Sequence, residues 1–483
     1  MDKECACEIP VASEASPKEF DLVILGGGSA AFSAAIKATE LGVEVAVCEE
    51  WVIGGTCLNR GCIPSKNLLK ASEVFYYSHH QPFKGIKIPE GNLDFAEVIN
   101  QKDELVQELR KEKYLNILRE NGKIHYMEGK ASFQSEDSVK VGDRILKGKR
   151  FLIATGASPQ VIPFKGIENV DYLTSTTALD LKRLPSSMVI LGGRFVAVEM
   201  AQIFSHFGTK VTILQRSPRI IPEEEEEISE GLKGYLEEEG IRVYTGVRVR
   251  EVLQEGDVKV VRAEVAGERV EFRGEALLMA TGNSPNTKGL DLERVRVEVD
   301  NRGFIKTDRF MRSSNPRVFA AGDVTGRLQL VTVAAHEGAV AAVNALDEQM
   351  AQEVDYSAIP HAIFTSPNVA SVGSTERKAR EEGYDVISST LDMSYVPKAR
   401  AIRDTRGLIK IVAEKGTGRI LGIHILAPEA AEVIHQAVLP VKNRMTLKEA
   451  TEKIDIYPTL SEMVKLCAQS FSKDVSRLSC CAE

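Results

Sequence analysis

The chain has 483 residues, 43% hydrophobic and 27% charged, with a net charge of −8. At roughly 150 residues per domain this length suggests about three domains. The apolar fraction excludes a disordered chain, and the acidic balance without a basic tract argues against nucleic acid as the main partner.

No apolar run reaches the ~20 residues a membrane helix needs. Residues 1–18 are acidic and polar, with no apolar segment to serve as an export signal, and read as a disordered lead-in carrying Cys5 and Cys7. Eight cysteines are too sparse for a secreted disulfide scaffold, so a cytoplasmic location is expected. Cys5/Cys7, Cys57/Cys62 and Cys480/Cys481 form three close pairs, which suggests redox or soft-metal chemistry. Cys48 and Cys467 read as isolated apolar fillers.

The segment DLVILGGGSAAFSAAIKATELGVEVAVCEE (residues 21–50) predicts strand, glycine turn, helix and strand, a βαβ unit with a parallel pair. Gly26, Gly28 and Ala31 fit G-x-G-x-x-G/A: a tight turn, close approach of a pyrophosphate, and close packing of helix on strand. Glu49 ends the second strand, where a carboxylate can accept bonds from a ribose diol. Next comes GGTCLNRGCIPSK (residues 54–66). Cys57 and Cys62 lie at a predicted helix start, whose first turn Pro64 makes irregular, and a thiolate there is stabilised as a nucleophile and soft-metal ligand. A zinc site would need two further ligands, and no Cys or His follows at metal spacing.

FLIATG (residues 151–156), ALLMATG (276–282) and VFAAGD (318–323) are apolar strands closed by glycine turns, as where a buried strand meets a ligand edge. A second βαβ pattern spans residues 187–216. Gly192 and Ala197 keep their places, but Arg194 replaces the second glycine, and the following strand ends in Gln215 and Arg216 without a carboxylate. That loss favours a 2′-phosphate, with Arg216 as its partner or as a plain surface charge. Arg194 implies either a backbone that points its side chain outward or looser cofactor approach. Glu223 to Glu227 read as a solvated helix start favoured by the dipole. From about Asp355 the pattern turns mixed α+β, with strands GLIKIVAE and GRILGIHIL and the helical stretch AAEVIHQAVLPVKNRM.

In order and spacing these features resemble the flavin-dependent pyridine-nucleotide disulfide oxidoreductases, from about Glu19 to the C-terminus. The resemblance implies an α/β fold with two Rossmann-like dinucleotide-binding domains and a C-terminal α+β dimerisation domain. The corresponding boundaries are a tail (1–18), an FAD-binding domain in two parts (19–160 and 285–354), an NADPH-binding domain (161–284) and the dimerisation domain (355–483). By the same resemblance Gly26, Gly28, Ala31, Glu49, Thr56, Lys66, Ala131, Asp323 and Val331 contact FAD. Gly192, Ala197, Glu199, Arg216 and Gly282 contact NADPH. Cys62 becomes the thiolate against the flavin, and Cys57 the exchange thiol of a redox-active disulfide.

Three features select a branch. Disulfide-reducing members carry a His-Pro pair with a Glu five residues after the His, whereas here YPTLSE supplies Tyr457, Pro458 and Glu462. The end LSCCAE places Cys480 beside Cys481, with Cα atoms about 3.8 Å apart, too close for an unstrained disulfide and suited as a dithiol to a soft ion. Tyr172 precedes TSTTAL, as an active-site phenol beside Tyr457 or as a core aromatic. These features, with LKEATEKIDIYPTLSEMVKLCAQSFSKDVSRLSCCAE and VPKARAIRDTRGLIKIV, resemble the branch that reduces Hg(II). The implied protein is a homodimeric NADPH:Hg(II) oxidoreductase. It takes Hg(II) from small-thiol complexes through Cys480 and Cys481 of the partner subunit to Cys57 and Cys62. The Cys5/Cys7 tail is then either a vestigial Hg(II) collector or a segment with incidental cysteines. A lipoamide- or glutathione-type disulfide reductase and a non-catalytic metal-sequestering protein are the alternatives.

Overall fold

The computed structural model describes residues 19–88 and 91–477. Cys5, Cys7, Cys480 and Cys481 lie outside the described residues. The described chain divides into two compact units. Unit 1 draws on residues up to Ser65, Ile99–Gln160 and Gly282–Asp355; unit 2 on Lys66–Val98, Val161–Thr281 and Tyr356 onward.

In unit 1, strand β1 (Glu19–Leu25) lies parallel between β2 (Val45–Glu49) and the strand Arg144–Ile153. Ile124–Glu128 extends the sheet beyond β2, and Val318–Ala320 pairs with Arg144–Ile153, also in parallel. Leu22, Val23, Ile24 and Leu25 are all fully buried, the continuous apolar run a parallel strand needs when both faces are covered. Helix α1 (Ser29–Glu40) joins β1 to β2 and buries its alanines. Small residues matter because helix Val331–Leu346 lies against it: a Cβ on Gly338 would sit 2.1 Å from the Ala30 carbonyl oxygen.

Unit 2 contains a parallel sheet ordered Arg242–Tyr244, Lys210–Leu214, Ser187–Leu191, Ala276–Met279 and Leu173–Thr174. Helix Phe195–His206 follows its central strand. Three antiparallel strands (Arg248–Glu255, Val258–Val265, Glu268–Gly274) form a separate meander. A five-stranded antiparallel sheet runs His361–Ile363, Asn368–Gly373, Ile420–Ala427, Leu408–Glu414, Val386–Asp392. Ile409, Ile411, Ile423 and Ile425 on it pack with Met463 and Cys467 of helix Glu462–Gln469. The mixed α+β reading of this region holds. Among the described residues no helix is long and apolar enough to cross a membrane.

One expectation is overturned. The acidic run 223–227 is not a solvated helix start, since Glu224 and Glu225 are buried. Glu224 accepts a hydrogen bond from Ser371 Oγ at 2.6 Å and pairs with His361 Nε2 at 2.6 Å. Lys410 Nζ meets Glu225 at 3.1 Å, Glu227 at 2.9 Å and Glu376 at 3.1 Å. The helix Glu226–Glu238 does begin there, but partners on the antiparallel sheet, distant in sequence, draw two of the five carboxylates inside.

Candidate active site

The two glycine loops share one backbone geometry. Gly26 (φ +114°) and Gly192 (φ +122°) occupy the left-handed region. A Cβ there would sit 2.3 Å from Ala154 O and 2.2 Å from Ala280 O respectively, so only glycine fits. The second loop position is different. Gly28 (φ −88°, ψ −167°) and Arg194 (φ −97°, ψ −172°) are both extended, a conformation open to any residue. The outward-pointing reading of Arg194 is therefore the one the fold adopts: its side chain is 60% exposed, and Nη1 lies 2.7 Å from Glu223.

Both helices that follow, α1 and Phe195–His206, begin without a side-chain cap and without an acid in the first turn. Their first amides are left to serve an anion. Ala31 and Ala197 are buried, where the pattern needs small residues. Glu49 is held by the loop itself, Oε2 accepting from Gly27 N at 2.6 Å and Oε1 from Trp51 N at 2.8 Å. Arg216 is exposed just past strand Lys210–Leu214, and Gly282 (φ +105°) closes the ATG turn.

The thiol motif forms two helices rather than one with an irregular start. Helix α2 (Gly55–Arg60) carries Thr56 and Cys57, Gly61 breaks the run, and α3 (Cys62–His79) starts at Cys62 itself. Pro64 falls in the first turn of α3, where no amide partner exists to be lost. Both cysteines are half-buried, and Cys62 sits at the positive end of an 18-residue helix. Asn59 staples α2: its Nδ2 donates toward Gly55 O at 2.9 Å and Ile53 O at 3.1 Å, while Oδ1 accepts from Arg110 Nε at 2.8 Å.

Arg110 ends helix α4 (Phe95–Arg110), and a π-helical turn, Lys111–Leu115, follows directly. Such turns often mark functional positions. This one directs Tyr114 onto α1, where its ring meets Phe32 edge-on at 4.6 Å and its hydroxyl hydrogen-bonds the Ser29 side chain. Burial raises the Tyr114 hydroxyl above its usual range; the Ser29 bond opposes that, and the Cys57 sulfur nearby adds to it. Tyr114, packed on Ser29 and Phe32 and sensing the charge of Cys57, is a phenol the sequence reading did not single out. Tyr172, expected as an active-site phenol beside Tyr457 or as a core aromatic, is 39% exposed in unit 2 and lines a surface recess with Leu181, Lys182 and Leu277.

Lys66 follows Cys62 by one turn of α3. Its Nζ lies 2.8 Å from Glu199 Oε2, and Glu199 also accepts from Phe364 N at 2.9 Å. Glu199, expected at the nicotinamide cofactor, holds Lys66 and that amide and is 6% exposed. Asp323 opens a turn after Gly322 (φ +78°), whose amide donates to the fully buried Glu337 at 2.7 Å. Burial, reinforced by Glu337, pushes the Asp323 carboxyl up to about 6. Ala131 starts strand Ala131–Ser135, and Val331 starts helix Val331–Leu346. Tyr457 in unit 2 is 46% exposed, next to Ile456 at 80% and Ile454 at 91%.

The family described as pyridine nucleotide-disulphide oxidoreductase matches residues 20–338, and its dimerisation domain matches residues 359–468. The chain belongs to this family. It is 43% identical to a mercuric reductase from Lysinibacillus sphaericus over 463 residues, covering 96% of this chain and 84% of that protein. With a mercuric reductase from Streptomyces lividans it shares 42% over 469 residues, covering 96% and 98%. Among solved structures, the Cu(II) complex of the HOCl-induced flavoprotein disulfide reductase RclA from Escherichia coli superposes with a TM-score of 0.85. That pair is 29% identical and covers 94% of this chain and 100% of that one.

Proposed function

We propose that this protein is an NADPH-dependent flavoenzyme that reduces Hg(II) to Hg(0). Near-full-length likeness to mercuric reductases carries the reading. The two uncapped helix starts behind strict glycine turns fit FAD in unit 1 and a pyridine nucleotide in unit 2. Bound FAD supplies the two-electron relay between nicotinamide and metal.

The chain's own residues do the rest. Cys57 and Cys62, favoured as thiolates by helix position, hold the soft cation between two sulfurs. The Tyr114 hydroxyl orients or donates to the Cys57 sulfur during ligand exchange. Lys66, fixed by Glu199, sets positive charge one turn beyond Cys62, and Asp323 accepts from ribityl hydroxyls. Cys480 and Cys481 of the partner subunit pass Hg(II) inward from small-thiol complexes, and the exposed Ile454 and Ile456 of the dimerisation domain suit burial against a second copy. The exchange balances at two electrons: NADPH and Hg(II) give NADP+, a proton and Hg(0). The small thiolates leave to water in the preceding ligand exchange and are protonated there. The reduction itself cleaves no disulfide and has no buried thiol leaving group to protonate, so Tyr457 in place of a histidine is consistent with the reaction.

Anaerobic addition of NADPH and then Hg(II) to the purified protein tests this through flavin absorbance. Bleaching by NADPH and recovery with Hg(II) are expected. A colourless protein, or a reduced one left unchanged by Hg(II), would refute the reading.

A further inference from the structure

We infer that Arg194 clamps the diphosphate of the pyridine nucleotide, and that Glu223 holds the place as an internal substitute anion that the nucleotide displaces. The inference rests on the reading above that the second glycine loop takes NADPH.

Arg194 immediately precedes a twelve-residue helix that has no side-chain cap and no acid in its first turn. Its extended backbone costs nothing, and the neighbouring Phe195 and Val196 are about 40% exposed, so this end of the helix is open. Glu223 is no freely floating surface acid. Glu224 and Glu225 are anchored to His361, Ser371 and Lys410, and Ile221 N donates to Gly193 O of the loop itself at 2.7 Å. The segment is fixed on both sides, and Glu223 is presented 2.7 Å from the guanidinium.

The arrangement repeats at a second cation past the next strand. Arg219 Nη1 lies 3.6 Å from Glu226, and that nitrogen is buried without a hydrogen-bond partner among the described residues. Two guanidiniums on the nucleotide edge thus face two glutamates of one acidic run. The Arg194 pair is solvent-exposed and hence weak. A diphosphate offers more charge and oxygen pairs that match the planar guanidinium fork, so exchange favours the nucleotide. The carboxylate is released to water as the phosphate contact forms, with no covalent change.

The test is calorimetric titration of the flavin-loaded enzyme with NADP+, which cannot reduce it, with ADP-ribose, and with adenosine 2′-monophosphate, at low and high salt. Arg194→Gly restores the motif glycine and should weaken NADP+ and ADP-ribose by about three- to tenfold, an exposed-to-bidentate contact's range. It should flatten their salt dependence and spare adenosine 2′-monophosphate, which lacks the diphosphate. Glu223→Gln should tighten NADP+ and ADP-ribose. Equal or tighter NADP+ binding by Arg194→Gly, or no tightening by Glu223→Gln, overturns the inference while leaving the nucleotide reading intact. A wild-type enzyme that binds none of the three overturns both.

Discussion

Tyr114 and Tyr172 illustrate how differently two phenols can be legible. Tyr172 precedes a run of small polar residues and invites attention; Tyr114 sits mid-helix and reads as an ordinary core aromatic. The available signal was one of phase: buried Leu118 follows buried Val106 by twelve residues, one more than the roughly eleven that three α-helical turns take, as an inserted π turn requires. Tyr114→Phe should lower Hg(II)-dependent NADPH oxidation by about tenfold, the worth of one hydrogen bond to a charged sulfur. Its flavin content and melting point should stay near wild type; full activity would remove the phenol from the reaction. The isolated cysteines were legible, because Cys48 ends an apolar strand pattern and Cys467 lies between Leu466 and Ala468, each without a second cysteine close by. Burial pushes the Cys48 and Cys467 thiols up to about 12. After reduction, iodoacetamide at neutral pH should label Cys57 or Cys62 and leave both of these unmodified in peptide mass maps.

Among the elements, strand ends and glycine turns followed from local pattern, since a positive φ is a property of two or three residues. The fit between helices did not. Gly338 lies in an alanine-rich helix where nothing local demands glycine, yet its neighbour is the Ala30 carbonyl at the start of α1. Gly338→Ala should destabilise unit 1 by about 1–3 kcal/mol, the usual penalty of overpacking. The loss should show in urea unfolding of the apoprotein and as faster flavin release. An unchanged midpoint would mean that the two helices part without cost.

For the molecule as a whole, long-range pairing decides which charges are structural. His361 is raised above its usual value: burial opposes protonation, but the hydrogen bond and charge of Glu224 outweigh it. A histidine raised on folding contributes stability that is complete below its unfolded value and fades as pH climbs through the folded one. His424, buried nearby, is lowered mainly by burial and has the opposite dependence, losing stability as pH falls below the unfolded value. His361→Gln should therefore cost about 2 kcal/mol at pH 6, a buried hydrogen bond to a charged partner, and clearly less at pH 9. Equal losses at both pH values, measured by denaturant melts, would show that the pair acts without its charge.

By itself the sequence determined the two dinucleotide loops, the thiol motif, the fold class and the inert cysteines, because turn geometry and strand burial are written in a few adjacent residues. Only the tertiary structure decided that Glu224 and Glu225 lie inside, that Glu199 serves Lys66 across 133 positions, and that Tyr114 packs on Ser29 and Phe32 of α1. Burial and ion pairing depend on which remote residue arrives opposite. No local periodicity encodes that arrival; it is settled when β-strands and helices far apart in the chain close upon one another.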